Sequence, residues 1–254
     1  MSSGNIRFRA VLFDLDGTLY DERGGMERSL SITLAEAACL AAGLDIRKAA
    51  SLYVAVGKPI WEEADRIRSA AAGVSRLVEI RSRVWRALLE RLGVPATDGL
   101  AEHLAATYTK ARASTHTLYP DAAPVLERLK GKVRLGLVSN GLSEQQREKL
   151  RACGLADLLD PILISEEAGL KKPDSGMFLR AVDLSGCAPA EVLFVGDSPH
   201  RDVAGARAAG LPVAWIRRYG ESYPEGQPEP DYVLGDLHPV QEIVQGTITP
   251  AGRI

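Results

Sequence analysis

Hydrophobic positions follow two different rules along this chain. In "RAVLFD", "VRLGLVS", "PILIS", "VLFVGD" and "VAWI", apolar and β-prone residues run together for about the length of a strand. Such runs predict strands, and their lack of alternation predicts strands covered on both faces, as in a parallel sheet. A weaker run, "DYVL", follows near the end. Helical patterns lie between the runs, at Ser143–Cys153, Ser175–Leu184 and Asp202–Ala209. The helix at Ser143 is expected to open on a serine cap paired with Gln146 and to stop at Gly154. Strands alternating with helices predict an α/β fold, a doubly wound parallel sheet.

From about Glu27 to Ala113 the rule changes to a repeat of three to four. Leu77, Ile80, Val84, Leu88 and Leu92 form one amphipathic stripe within "SRLVEIRSRVWRALLERLGV". Gly43, Gly57, Gly73, Gly93 and Gly99 read as helix ends. No β-rich run interrupts this stretch, so it is expected to be all-helical. Residues 1–20 and 115–254 would then form the α/β core, and 21–114 an inserted helical cap. An insertion of that size serves the site it overhangs as a lid or cap.

Composition narrows the picture without redirecting it. The 254 residues are 46% hydrophobic and 25% charged with a net charge of −2, so nothing marks a nucleic-acid binder or a disordered tail. Cys39, Cys153 and Cys187 are too scattered for a metal pair and are expected to be buried thiols in a reducing compartment. "MSSGNIRFRA" has no apolar signal core, and no apolar run reaches spanning length. The expectation is a soluble, cytoplasmic protein, monomer or homodimer, with no membrane and no nucleic-acid partner.

Parallel sheets bind ligands at the carboxyl ends of their strands. The first strand ends in Asp14, with Asp16, Gly17 and Thr18 beyond. The second ends in Ser139, followed by Asn140 and Gly141. Lys171 and Lys172 follow the third, and Asp197 ends the fourth with Asp202 five residues later. Taken singly, each has a plainer reading. "SNG" is a turn, "KKPD" a solvated loop, and Asp202 a helix cap. Asp14 is harder to dismiss, because a carboxylate closing a buried strand is costly without a partner. Their shared edge is what makes the set specific. Clustered carboxylates suit Mg²⁺, and no His/Cys group accompanies them to suggest zinc. A metal, a lysine and a hydroxyl neutralise and hold a phosphoryl group. An aspartate can attack it, and a second acid two residues on can move the protons.

"FDLDGTLYD", "VSNG", "GLKKPDSGMF" and "VGDSPHRDVAGARAAG" resemble, in order and spacing, the four motifs of the haloacid dehalogenase-like hydrolase superfamily. The helical insertion resembles its helical-cap phosphatases. The resemblance implies Asp14 as nucleophile and Asp16 as general acid/base, its backbone carbonyl on Mg²⁺. It implies Thr18 as a support for the loop in reach of the acid/base carboxylate. Ser139 and the Asn140 backbone would bind the phosphoryl group together with Lys172. Asp197 would join Asp14 and Asp16 as metal ligands, and Asp202 would orient metal waters or the lysine. The expected reaction is hydrolysis of a small phosphorylated metabolite through an aspartyl-phosphate.

Alternatives remain within the family. Dehalogenases lack an acid at the Asp16 position, and phosphonate hydrolases need a cap lysine that Lys48, Lys58 and Lys110 do not match in context. Sugar phosphomutases share the core residues. A phospho-accepting receiver module, the non-enzyme alternative, has no large helical insertion and no second acid. Tyr20, Asp21, Arg23, Lys58, Trp61, Arg66 and His116 are candidate substrate contacts. The loop "RRYGESYPEGQPEPDYVLGDL" is expected to rim the entrance.

Overall fold

Six strands form a single sheet in the order β3 (Ile162–Ile164), β2 (Arg134–Ser139), β1 (Ala10–Phe13), β4 (Val192–Gly196), β5 (Val213–Ile216), β6 (Tyr232–Leu234), with every neighbouring pair parallel. The computed structural model describes residues 6–40, 44–63, 75–95 and 99–250. The order reverses on either side of β1, so both of its neighbours, β2 and β4, reach it by crossovers. This is the doubly wound sheet expected from the alternation of strands and helices.

The apolar runs explain the layers. Val11 and Phe13 enter one hydrophobic cluster with Leu193, Val195, Ala214 and Ile216. Ala10 and Leu12 enter another, with Val192, Phe194, Val213 and Trp215. Successive residues of a strand point to opposite faces, so both faces are dry and neither tolerates a polar residue. Each large side chain removed from water contributes roughly 1.5–3 kcal/mol. Helices α5 (Ala122–Leu129) and α10 (Val240–Val244) add to the first cluster, and α8 (Ser175–Ser185) and α9 (Ala204–Ala208) to the second.

The chain divides into two compact units, Met1–Glu22 with Thr117–Ile254, and Arg23–His116. Within the second unit lie α2 (Ile46–Glu62), α3 (Arg76–Leu92), α4 (Leu100–Ser114) and nearly all of α1 (Glu22–Leu40). Ser75 caps α3 by accepting the Leu77 N–H, and Gly93 ends it at φ +68°. The predicted stripe holds, with Leu77, Ile80, Val84 and Leu88 buried. Trp85 sits against Tyr53 and Tyr108 at ring distances of 5.4 and 6.2 Å.

Three expectations need correction or restriction here. Gly57 does not end a helix; α2 continues through it and through Pro59. A Cβ at Gly57 would stand 3.4 Å from Val84 Cγ1, so the glycine lets α2 approach α3, and packing overrides propensity. Gly43 and Gly73 lie outside the described residues. The thiols are not uniformly buried: Cys39 is exposed, Cys153 and Cys187 are half-buried, and all three are free. Among the described residues no helix is long and apolar enough to cross a membrane.

Gly136 marks where the sheet is tightest. A Cβ there would lie 2.6 Å from Leu12 Cδ2 and 2.9 Å from the Pro161 carbonyl oxygen. Gly136→Ala is therefore expected to destabilise the protein by about 1–3 kcal/mol through overpacking, measured by urea denaturation. An unchanged midpoint would show that β1 and the Pro161 turn can yield.

Candidate active site

Strand β1 delivers Asp14 to the carboxyl edge of the sheet. Its N–H donates to the Val195 carbonyl at 2.9 Å, continuing the strand pairing, and its side chain is buried. The next residues fold into a tight turn. Leu19 and Tyr20 N–H groups both donate to the Leu15 carbonyl, and Gly17 N–H donates to the Tyr20 carbonyl. Gly17 has φ +87°, and a Cβ on it would run into the Asp197 carboxylate. Only glycine meets both demands. The Thr18 carbonyl accepts from Arg218 Nη2 at 2.5 Å. Arg218 in turn pairs through Nη1 with both oxygens of Asp121, at 2.9 and 2.7 Å, and stacks on Tyr119. The Thr18 hydroxyl is buried with no hydrogen-bond partner among the described residues, so the expected contact with the Asp16 carboxylate is not made. Thr18 holds the turn through its backbone instead.

Lys172 Nζ lies 2.6 Å from Asp14 Oδ1 and 2.7 Å from Asp202 Oδ1. Burial works against its charge, but the two carboxylates outweigh it and hold the ammonium above the ordinary lysine range. Asn140 fixes the lysine backbone. Its Oδ1 accepts the Lys172 N–H at 2.8 Å, and its Nδ2 donates to the Lys172 carbonyl at 2.9 Å. The Asn140 side chain thus adds to the backbone role that the resemblance implies. Asp202 does not cap a helix; its Oδ2 accepts the Ser198 N–H within the π turn Pro199–Val203. A Cβ at Gly196 would lie 2.6 Å from Asp202 Cγ, so the glycine closing β4 leaves room for that carboxylate.

Asp197 completes the cluster. One carboxylate oxygen from each of Asp14, Asp197 and Asp202 lies within 4.8 Å of the others. Burial and the neighbouring carboxylates raise Asp14 to about 6 and Asp197 to about 8. Asp197 Oδ1 is buried without a hydrogen-bond partner among the described residues, and its carbonyl is held by the Trp215 indole N–H at 2.7 Å. Fully ionised, three carboxylates beside one ammonium would leave two uncompensated charges, so without a cation the cluster retains protons. A hard divalent cation with oxygen preference fits that deficit and the orphaned oxygen.

The remaining predicted residues gather nearby. Ser139 closes β2, buried, and its Oγ accepts from Gln146 Nε2 at 2.6 Å. Asp16 is part-exposed and turned to helix α6 (Ser143–Ala152). Gln146 Nε2 donates to its Oδ2 at 2.9 Å, and Lys149 Nζ lies 2.7 Å from its Oδ1. The expected capping box at Ser143 is thereby corrected: α6 has Leu142 at its N-cap without a side-chain cap, and Gln146 serves the Asp16 loop. The Ser143 N–H donates instead to Glu166 Oε2. Gln146 and Lys149 are the residues that sequence reasoning missed. Their one signal was position, on the first turns of the helix that follows a motif-bearing strand end.

A family model described as haloacid dehalogenase-like hydrolase matches residues 8–210. The chain belongs to that family. Among curated relatives, the phosphoserine phosphatase of Thermus thermophilus is 38% identical over 161 residues, 63% of each chain. The N-acylneuraminate-9-phosphatase of Rattus norvegicus is 29% identical over 95% of this chain and 96% of its own. Among solved structures, a putative HAD-hydrolase from Bacillus subtilis bound to magnesium superposes with a TM-score of 0.74. It is 23% identical, covering 94% of this chain and 99% of that one, which shows the shared fold.

Within this hydrolase the candidate substrate contacts separate. Tyr20 is fully buried beneath Lys149 and is removed from the set. Arg23 pairs with Glu27 and Lys58 with Glu62, each one turn along its own helix. Trp61 packs at the edge of the helical unit's core, His116 is half-buried, and Arg66 lies outside the described residues. Asp21 is tied by its N–H to the Thr117 carbonyl. Arg218, Tyr219 and Ser222, from the loop before β6, line a cavity of about 290 Å³ together with Gly17 and Asp197.

The raised carboxyl groups give a stability signature. Between the ordinary carboxylate value and about 6 for Asp14, or about 8 for Asp197, the folded chain holds more protons than the unfolded one. Their stabilising contribution is full below that window and is lost as pH rises through it. In chelator, the melting temperature is expected to fall from about pH 5 to about pH 9, and millimolar Mg²⁺ to offset the fall. Asp197→Asn should flatten the upper part. A melting temperature that rises over this range in chelator would contradict the electrostatic reading.

Proposed function

We propose that the chain is a Mg²⁺-dependent phosphomonoesterase that works through an aspartyl-phosphate on Asp14. The observation that carries this reading is the pair of acids two residues apart with different partners. Asp14 is buried against Lys172 beside Asp197 and Asp202, whereas Asp16 is part-exposed and held by α6. Dehalogenation would not call for the second acid. The relatives named as phosphatases support the choice of phosphate esters.

Asp14, Asp197 and the Asp16 backbone carbonyl would hold the metal. When bound, it would neutralise phosphoryl charge and keep Asp14 ionised. Asp14 attacks phosphorus as the ester P–O bond breaks, and Asp16 gives its proton to the leaving oxygen. Water then attacks the aspartyl-phosphate; Asp16 takes the water's proton, and Asp14 is regenerated with release of inorganic phosphate. Ser139 O–H and Lys172 N–H groups donate to the phosphoryl oxygens throughout. Asp202 and Asn140 keep Lys172 aimed. The chain would work in the cytoplasm on a small phosphorylated metabolite.

Phosphate release from an aryl phosphate is expected with Mg²⁺ and not with excess chelator. Asp14→Asn should lower kcat by roughly 10³-fold or more, as expected when the nucleophile is removed. Full activity in that variant would sink the mechanism. Isomerisation of hexose phosphates without net phosphate release would reassign the same site to a mutase. Gly17→Ala should fold yet lose most activity, because its Cβ displaces the Asp197 carboxylate. Retained activity would mean that the turn can rearrange without cost to the metal site.

A further inference from the structure

Asp16 is gripped from one helix by two side chains that lie outside all four motifs. Gln146 and Lys149 are three residues apart on α6 and therefore share a face. Gln146 Nε2 donates to Asp16 Oδ2 at 2.9 Å, and Lys149 Nζ meets Asp16 Oδ1 at 2.7 Å. Both oxygens of the carboxylate are thus held. Lys149 also reaches Glu22 Oε2 at 3.1 Å and lies 5.0 Å from the centre of the Tyr20 ring. Gln146 and Lys149 are only 1% and 2% exposed, so two long polar side chains have given up water and rotamer freedom to sit there.

The loop after β2 is shaped around this grip. At Gly141, φ +149°, a Cβ would lie 3.1 Å from Gln146 Cδ and Cγ. The same Gln146 nitrogen donates to Ser139 Oγ at 2.6 Å. The Ser139 hydroxyl in turn donates toward the Asn140 carbonyl at 3.5 Å, which also accepts from Gln146 Nε2 at 3.2 Å.

We propose that Gln146 and Lys149 are positioning residues for proton transfer. They fix the Asp16 carboxylate in one orientation. The proposal rests on the phosphatase reading above. Asp16 stands on a turn and is part-exposed, and these two donors restrict the rotamers open to its carboxylate. General acid catalysis requires the acid within hydrogen-bond reach of the leaving oxygen, and misplacement is felt directly in rate. The two buried lysines divide the labour: Lys172 serves Asp14 and Asp202, and Lys149 serves Asp16 and Glu22.

The test uses leaving groups. p-Nitrophenolate departs without a proton, whereas an alkoxide needs one. With the full chain and Mg²⁺, kcat/KM is measured on p-nitrophenyl phosphate and on an alkyl phosphate that the wild-type protein accepts. Lys149→Met and Gln146→Ala are each expected to lower the alkyl value roughly thirtyfold or more and the aryl value less than about threefold. Lys149→Arg should restore part of the ratio. Melting curves report folding, and Gln146→Ala carries the test if Lys149→Met does not fold. An equal loss on both esters, or an unchanged ratio, overturns the positioning role while leaving the phosphatase reading intact. Wild-type protein that releases no phosphate from either ester overturns both.

Discussion

Two buried carboxylates, Asp14 and Asp202, share one buried lysine beside a third, half-buried one, Asp197, and much of the core's local chemistry follows from keeping them together. Asp14, Asp197 and Asp202 repel one another in a site with little water, and Lys172 answers only part of that repulsion. The strands beneath must supply rigidity, which is why β1 and β4 are apolar on both faces and pair directly. Gly196 is small because the Asp202 carboxylate occupies the space a side chain would take. Asn140 clamps the lysine backbone at both its N–H and its carbonyl, and Trp215 holds the Asp197 carbonyl. These contacts stabilise an arrangement that, without a cation, is electrostatically strained.

The separation of Asp16 from this cluster is the second constraint. Two acids two residues apart would be redundant if they met the same partners. The turn from Leu15 to Tyr20 faces them to different elements, so one meets Lys172 from the β3 side of the sheet and the other meets α6. Arg218 braces that turn from beneath through the Thr18 carbonyl and is itself neutralised by Asp121. The proposed nucleophile and the proposed proton carrier would need different surroundings, and here the difference arises from the partners, since both are aspartates.

Much of this was legible beforehand because local rules and tertiary demands agree. Apolar runs such as "VLFVGD" predict central strands, and an acid at the end of such a run has few uses other than a site. The misreadings have one cause. Ser143 and Gln146 satisfy the local pattern of a capping box, yet Glu166 takes the Ser143 N–H and the Asp16 loop takes Gln146. Gly57 satisfies the local pattern of a helix end, yet the packing of α2 on α3 carries the helix through it. Thr18 and Tyr20 neighbour the site in sequence, but one has a buried hydroxyl with no partner among the described residues and the other lies under Lys149.

By itself the sequence determined the strands, their parallel arrangement and the convergence of Asp14, Asp16, Ser139, Lys172, Asp197 and Asp202 on one edge. Periodicity and strand-end position are properties of the chain read in order, and topology converts them directly into a shared edge. Only the tertiary structure decided which cation meets which carboxylate. It alone brought Gln146 and Lys149 to Asp16, 130 and 133 residues away. Side-chain pairing across such separations depends on helix rotation, turn geometry and the space that a few glycines leave open, none of which has a local period to read.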